Sequence, residues 1–231
     1  MSKPRVKKTA AEKTARVLFV SLILCALYAF IRIFTAPKVP AVGYAHGQSD
    51  YILMFIQCLL GLAVFSLPSI LQRKLHMTLP NFIYVMYYVF LYCAIILGEV
   101  MNFYYVIPHW DIILHFFSGA MLGALGFILV SQLNDSEKIR VSLSPAFIAL
   151  FAFCFALSCG AVWEIYEFLA DGMLGLNMQK FITAEAEVLV GHTALRDTMT
   201  DIMVDAAAAA LMACIGYARL RADSLFGKEE A

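Results

Sequence analysis

Residues 110–130 read Trp110-Asp-Ile-Ile-Leu-His115-Phe-Phe-Ser-Gly119-Ala-Met-Leu-Gly123-Ala-Leu-Gly126-Phe-Ile-Leu-Val130. A membrane-spanning helix needs about 20 mostly apolar residues. This stretch supplies them and confines its ionisable groups, Asp111 and His115, to its first two turns. Five further stretches have the same apolar character, at about 17–36, 51–71, 81–103, 144–170 and 198–220. Pro37, Pro40, Pro80, Pro108 and Pro145 fall between them, as do the polar clusters Gln72-Arg73-Lys74 and Asn134 to Arg140. The expected fold is all-α: one transmembrane bundle of about six spans over 17–220, with a basic tail at 1–16, a second tail at 221–231 and one long loop at 171–196. Composition agrees. Of 231 residues 62% are apolar and 15% charged, and the mean hydropathy is +0.78. An ordinary soluble domain carries about 25% charged residues. These values exclude a disordered chain and argue against a soluble enzyme. A formal net charge of zero leaves no basic footprint for nucleic acid.

The six cysteines, Cys25, Cys58, Cys93, Cys154, Cys159 and Cys214, all sit in apolar runs and none forms a C-x-x-C pair. They read as packing residues rather than a disulfide framework or zinc knuckle. The basic start followed by an apolar run from Val17 has the outline of a signal peptide. The long run, interrupted by Arg32 and followed by Thr35-Ala36-Pro37-Lys38, instead reads as an uncleaved first span.

Lys and Arg set the orientation, because cytoplasmic loops carry the excess. With the N-terminus inside, thirteen of the seventeen basic residues fall on the cytoplasmic side, leaving Arg32, Lys38, Lys180 and Arg196 opposite. Both ends inside also requires an even number of spans. Most acids fall on the other side: eleven of seventeen lie in outer loops or outer helix halves.

Those acids are grouped. Span three ends with Glu99 and Asn102, span four opens with Asp111 and His115, span five ends with Glu164, Glu167 and Asp171, and span six opens with Asp197, Asp201 and Asp205. Residues three or four apart share a helix face, so each of the last three helices presents a polar stripe. Two carboxylates about 6 Å apart repel by about 3 kcal/mol at an effective dielectric of about 20. A bound cation, protons or a water-filled vestibule must offset that charge. Carboxylates on facing helices joined by a histidine are how metal sites are built inside bundles. Asp111, His115, Glu164, Glu167 and Asp201 are the candidate ligands and Asp205 a candidate acid or base. Glu99, Asn102 and Asp197 are expected to line the same pocket. Oxygen-rich ligation with one imidazole suits Mg, Mn or Zn.

Simpler roles stand beside these. Asp111 and Asp197 could cap helices, Asp171-Gly172 could be a helix stop, and Glu185 and Glu187 read as solvated loop residues. Gly119, Gly123 and Gly126 form a small-residue stripe for close helix approach, with Ser158-Cys159-Gly160-Ala161 as its expected partner. Gly172, Gly175 and Gly191 would permit the long loop to fold over the pocket.

Five elements occur in order: Glu99-x-x-Asn-Phe-Tyr, Trp110-Asp-x-x-Leu-His-Phe-x-Ser-Gly119, Trp163-Glu-x-x-Glu167, Asn177-Met-Gln179 and Asp197-Thr-Met-x-Asp201. Over about 50–220 the sequence resembles the YjdF-like group of bacterial inner-membrane proteins. It is more distantly similar to VanZ-like membrane proteins, which also place Asp and His at the start of one span, Glu in the next and Asp at the start of a later one. It departs from them at Ile112, where they tend to have a basic residue, and at Asp205-Ala206, where Asn-x-x-Gly is expected. The YjdF-like resemblance implies an inner-membrane location and brings no activity with it. The VanZ-like link with glycopeptide resistance implies work at the envelope.

The reading that follows is a metal-dependent envelope protein whose expected partners are membrane lipids and a lipid-linked or phosphate-bearing ligand. The alternatives are a cation- or proton-coupled transporter and a non-catalytic scaffold or sensor. Transport would need polar groups continuing inward, but span four is apolar from Gly119 to Val130 and span six from Ala206 to Gly216.

Overall fold

The computed structural model describes residues 9–38, 46–134, 143–183 and 187–226. The first eight residues of the basic tail, Lys138 and Arg140, Glu185, and the end of the 221–231 tail lie outside the described residues. Among the described residues the fold is all-helical, with a single isolated antiparallel bridge between Ile182 and Val188. Six helices among them are long and apolar enough to cross a membrane. The chain divides between Val106 and Ile107 into two compact units.

In the first unit, α1 spans Ala10–Thr35, seven residues ahead of the apolar run. A capping box explains the early start. Thr9 Oγ1 accepts from Glu12 N at 3.3 Å, and Glu12 Oε2 accepts from Thr9 N at 3.0 Å. The second span is two helices, α2 (Gln48–Val64) and α3 (Leu67–Lys74). Pro68 stands in the first turn of α3, where its missing N–H costs nothing and where a continuous helix would have been broken. The third span is α4 (Asn81–Leu91), which runs into a π-helical segment over Tyr92–Val100. Leu18 and Leu22 of α1, Cys58 of α2, and Leu91 and Ile95 of the third span form the core of this unit. A short α5 (Phe103–Val106) follows Asn102, which adopts φ 64°. Asn is among the few residues that tolerate that left-handed conformation.

The second unit is three helices packed pairwise: α6 (Trp110–Asn134), α7 (Pro145–Leu174) and α8 (His192–Phe226). Glycines set their approach. A Cβ at Gly119 would lie 3.0 Å from the Asp205 carbonyl oxygen, and one at Gly123 would lie 3.0 Å from Met212 Cβ. Both partners are on α8, not on the Ser158–Ala161 patch expected for them. Only Gly126 faces α7, at Ala152 and Phe155, while Gly160 faces Asp205. One stripe thus serves two neighbours: Gly123 and Gly126, three residues apart, point about 60° apart around the helix axis.

Two helix ends also differ from expectation. α7 runs past Asp171-Gly172 to Leu174 and stops at Gly175, whose φ of 65° is the left-handed cap a glycine adopts without strain. α8 begins six residues before the expected 198, so Asp197 lies in its second turn rather than at a cap. All six cysteines are free thiols; Cys58 is buried, whereas Cys154 and Cys214 are exposed on the helix surface rather than packed.

Candidate functional site

Each helix of the second unit carries glycine or alanine and ionisable residues on one stripe. On α6 the stripe is Asp111, His115 and Gly119; on α7 it is Gly160, Glu164, Glu167 and Asp171; on α8 it is Asp201, Asp205 and Ala208. Because the small residues bring the backbones together, the ionisable groups meet as well. His115, Glu164, Glu167, Asp171, Asp201 and Asp205 are all buried, and Asp111 is half-buried.

His115 is the hub. Its Nδ1 lies 3.2 Å from Asp205 Oδ2, in hydrogen-bond range. Its Nε2 lies 3.5 Å from Glu164 Oε1 and 3.9 Å from Asp111 Oδ1. One ligand atom each from Asp111, His115 and Asp201 lie within 4.8 Å of one another. Two ligands of one ion lie at most two bond lengths apart, about 4–5 Å for bonds of about 2.0–2.6 Å. That trio therefore could hold a metal ion. Glu164 is 3% exposed, with Oε1 facing His115 Nε2 and its carboxyl group within side-chain hydrogen-bonding reach of Thr198. Asp205 Oδ1 is buried without a hydrogen-bond partner among the described residues. Buried carboxylate oxygens are ordinarily satisfied, so this set has unused acceptor capacity, the property a cation requires.

The remaining candidates divide. Glu167 is buried within electrostatic range of Asp111, Glu164 and Lys180, and half-buried Asp197 is in range of Asp111 and Lys180. Asp171 is spent on structure. Its Oδ1 accepts from Met178 N at 2.7 Å and its Oδ2 from Gln179 N at 2.9 Å. Glu99 and Asn102 belong to the first unit, where Glu99 sits in the π-helical segment and the Asn102 carbonyl accepts from Tyr105 N and Val106 N at 3.1 Å.

The part that sequence reasoning left without a role is Asn177-Met178-Gln179. Asn177 Oδ1 accepts from Ile182 N at 2.9 Å and its Nδ2 donates to Ile182 O at 2.8 Å. Gln179 Nε2 donates to Thr198 Oγ1 at 2.7 Å, one turn ahead of Asp201. The segment after Gly175 is therefore tied to both α7 and α8. The motif itself was the available signal: an Asn near a turn glycine commonly bonds local backbone.

Six apolar helices with a buried cluster of carboxylates around one imidazole define a polytopic membrane protein. Residues 15–222 match the family described as "Predicted membrane protein (DUF2238)", and the chain belongs to that family. It is similar to a Thermotoga maritima protein described as an uncharacterized protein: 28% identity over 211 residues, covering 91% of this chain and 92% of the relative. No solved structure matches.

Proposed function

We propose that the cluster is a divalent-metal centre at the extracytoplasmic face of a bacterial inner membrane, acting on a lipid-linked or phosphate-bearing ligand. The observation that carries this reading is that ligand atoms of Asp111, His115 and Asp201 lie within 4.8 Å of one another. Glu164, buried with its Oε1 3.5 Å from His115 Nε2, is the fourth candidate ligand. Glu167 and Asp197 place two further carboxyl groups near it. The donor set suits Mg, Mn or Zn, and such an ion would supply Lewis acidity toward a phosphoryl or carbonyl oxygen. The Lys and Arg distribution supports the extracytoplasmic side. The resemblance of the five ordered motifs to the YjdF-like group supports the bacterial inner membrane.

Proteoliposomes test the reading. The purified protein is reconstituted with a long-chain lipid phosphate and followed for phosphate release and ion flux, with Mg, Mn or Zn and with chelator. Metal-dependent phosphate release that is lost in Asp201→Ala supports the proposal. Metal-independent cation or proton flux replaces it with transport. Neither signal leaves the scaffold or sensor reading in its place.

A further inference from the structure

We infer that Asp205 is a positioning residue acting through His115, and that Gly119 and Gly160 exist on their helices to admit it. This deepens the metal reading above and rests on it. Asp205 is 1% exposed, the most buried of the charged residues in the described chain. Its Oδ2 faces His115 Nδ1 at 3.2 Å. A carboxylate there accepts a hydrogen bond from Nδ1–H and leaves the Nε2 lone pair facing Asp111 and Glu164. A metal-ligating histidine ordinarily donates its second ring N–H to such a partner, which fixes the tautomer and makes the ring a better ligand.

The glycines give the arrangement its second support. A Cβ at Gly160 would overlap Asp205 Oδ2, and its next contacts are Asp205 Cγ at 2.8 Å and Cβ at 3.3 Å. From the other side a Cβ at Gly119 would meet the Asp205 carbonyl oxygen at 3.0 Å and Cα at 3.1 Å. Two helices each omit a side chain at the one place where Asp205 must pass. Gly119 lies one turn after His115 and Gly160 one turn before Glu164, so each helix spaces its opening from its own ionisable residue by four. Close packing alone does not account for Gly160, because the volume it vacates is taken by a carboxylate, a group that is costly to bury without a partner.

Co2+ binding to the full-length protein in detergent or nanodiscs tests this, read by affinity and by the visible spectrum of the bound ion. Asp205→Asn keeps the shape and removes the charge. Affinity should fall about 10–100-fold, the usual cost of losing an outer-shell partner, with a changed spectrum. Gly160→Ala should reproduce both effects although it touches no ligand. Gly126→Ala is the packing control, since its Cβ would crowd Phe155 at 2.9 Å and Ala152 at 3.2 Å without touching Asp205; it should bind like wild type. If Asp205→Asn and Gly160→Ala bind Co2+ within twofold of wild type with an unchanged spectrum, the inference is overturned while the metal reading stands. If Gly126→Ala loses affinity equally, the effect is packing and the inference is again overturned. Wild-type protein that takes up no Co2+ overturns the metal reading and this inference together.

Discussion

Replacing Asp171 separates a structural acid from the acids beside it. Its two oxygens accept from Met178 N at 2.7 Å and Gln179 N at 2.9 Å, and both Asp171 and Met178 are buried. A hydrogen bond to a charged group contributes about 1.5–3 kcal/mol, and a buried N–H left unpaired costs about 1–3 kcal/mol. Asp171→Ala therefore shifts the local opening of the segment after Gly175 by at least about 3 kcal/mol, more than 100-fold in the opening equilibrium. Asp171→Asn keeps one acceptor and places an N–H donor against the other amide, so it should lie between wild type and Ala. Hydrogen–deuterium exchange in nanodiscs reads this directly. The amides of Met178 and Gln179 lose protection outright, and Ile182, whose N–H bonds Asn177 Oδ1, follows because it depends on the same turn. Metal content should be unchanged, since both Asp171 oxygens are already committed to backbone. Protection within threefold of wild type at Met178 and Gln179 would refute the reasoning, as would loss of metal from Asp171→Ala.

Asp111→Ala and His115→Ala should insert normally yet lose bound metal, checked by elemental analysis after membrane extraction. Thr9→Ala removes the cap of α1 and should cost about 1 kcal/mol, read as faster amide exchange at Glu12 and Lys13 with no change at α6 to α8. Val190→Cys, at a position 76% exposed, should react with a membrane-impermeant maleimide added outside intact spheroplasts. Labelling only after lysis would reverse the assigned orientation.

The spans were legible because a bilayer demands about 20 apolar residues and tolerates few charges, a constraint written residue by residue. Their ends were less so. Thr9 and Glu12 extend α1 through a reciprocal cap that hydropathy ignores, and α8 starts at His192 through polar residues that a transfer scale reads as loop. The turn at Phe65-Ser66 and the π-helical segment over Tyr92–Val100 depend on backbone hydrogen bonding that leaves no periodic trace. In the cluster, helical spacing already put Asp111 with His115 and Asp201 with Asp205 on single faces. What spacing within one helix cannot give is which stripe meets which. Gly119 and Gly123 turn to α8, and only Gly126 turns to α7. The close approach of Gly119 to the Asp205 backbone is what sets Asp205 beside His115. Asp171 shared the face of Glu164 and Glu167 and so looked equivalent to them; its engagement with Met178 and Gln179 appears only once the chain has turned back at Gly175.

In the proposed function, buried carboxylates and one imidazole where α6, α7 and α8 meet would hold a divalent ion. Elemental analysis by mass spectrometry on gently purified protein, wild type beside Asp201→Ala and Glu164→Ala, tests it most directly. About one divalent ion per wild-type chain is expected, with loss of that ion in both variants and each variant still inserted and folded. Wild-type protein without metal, before and after reloading with Mg, Mn and Zn, would contradict it.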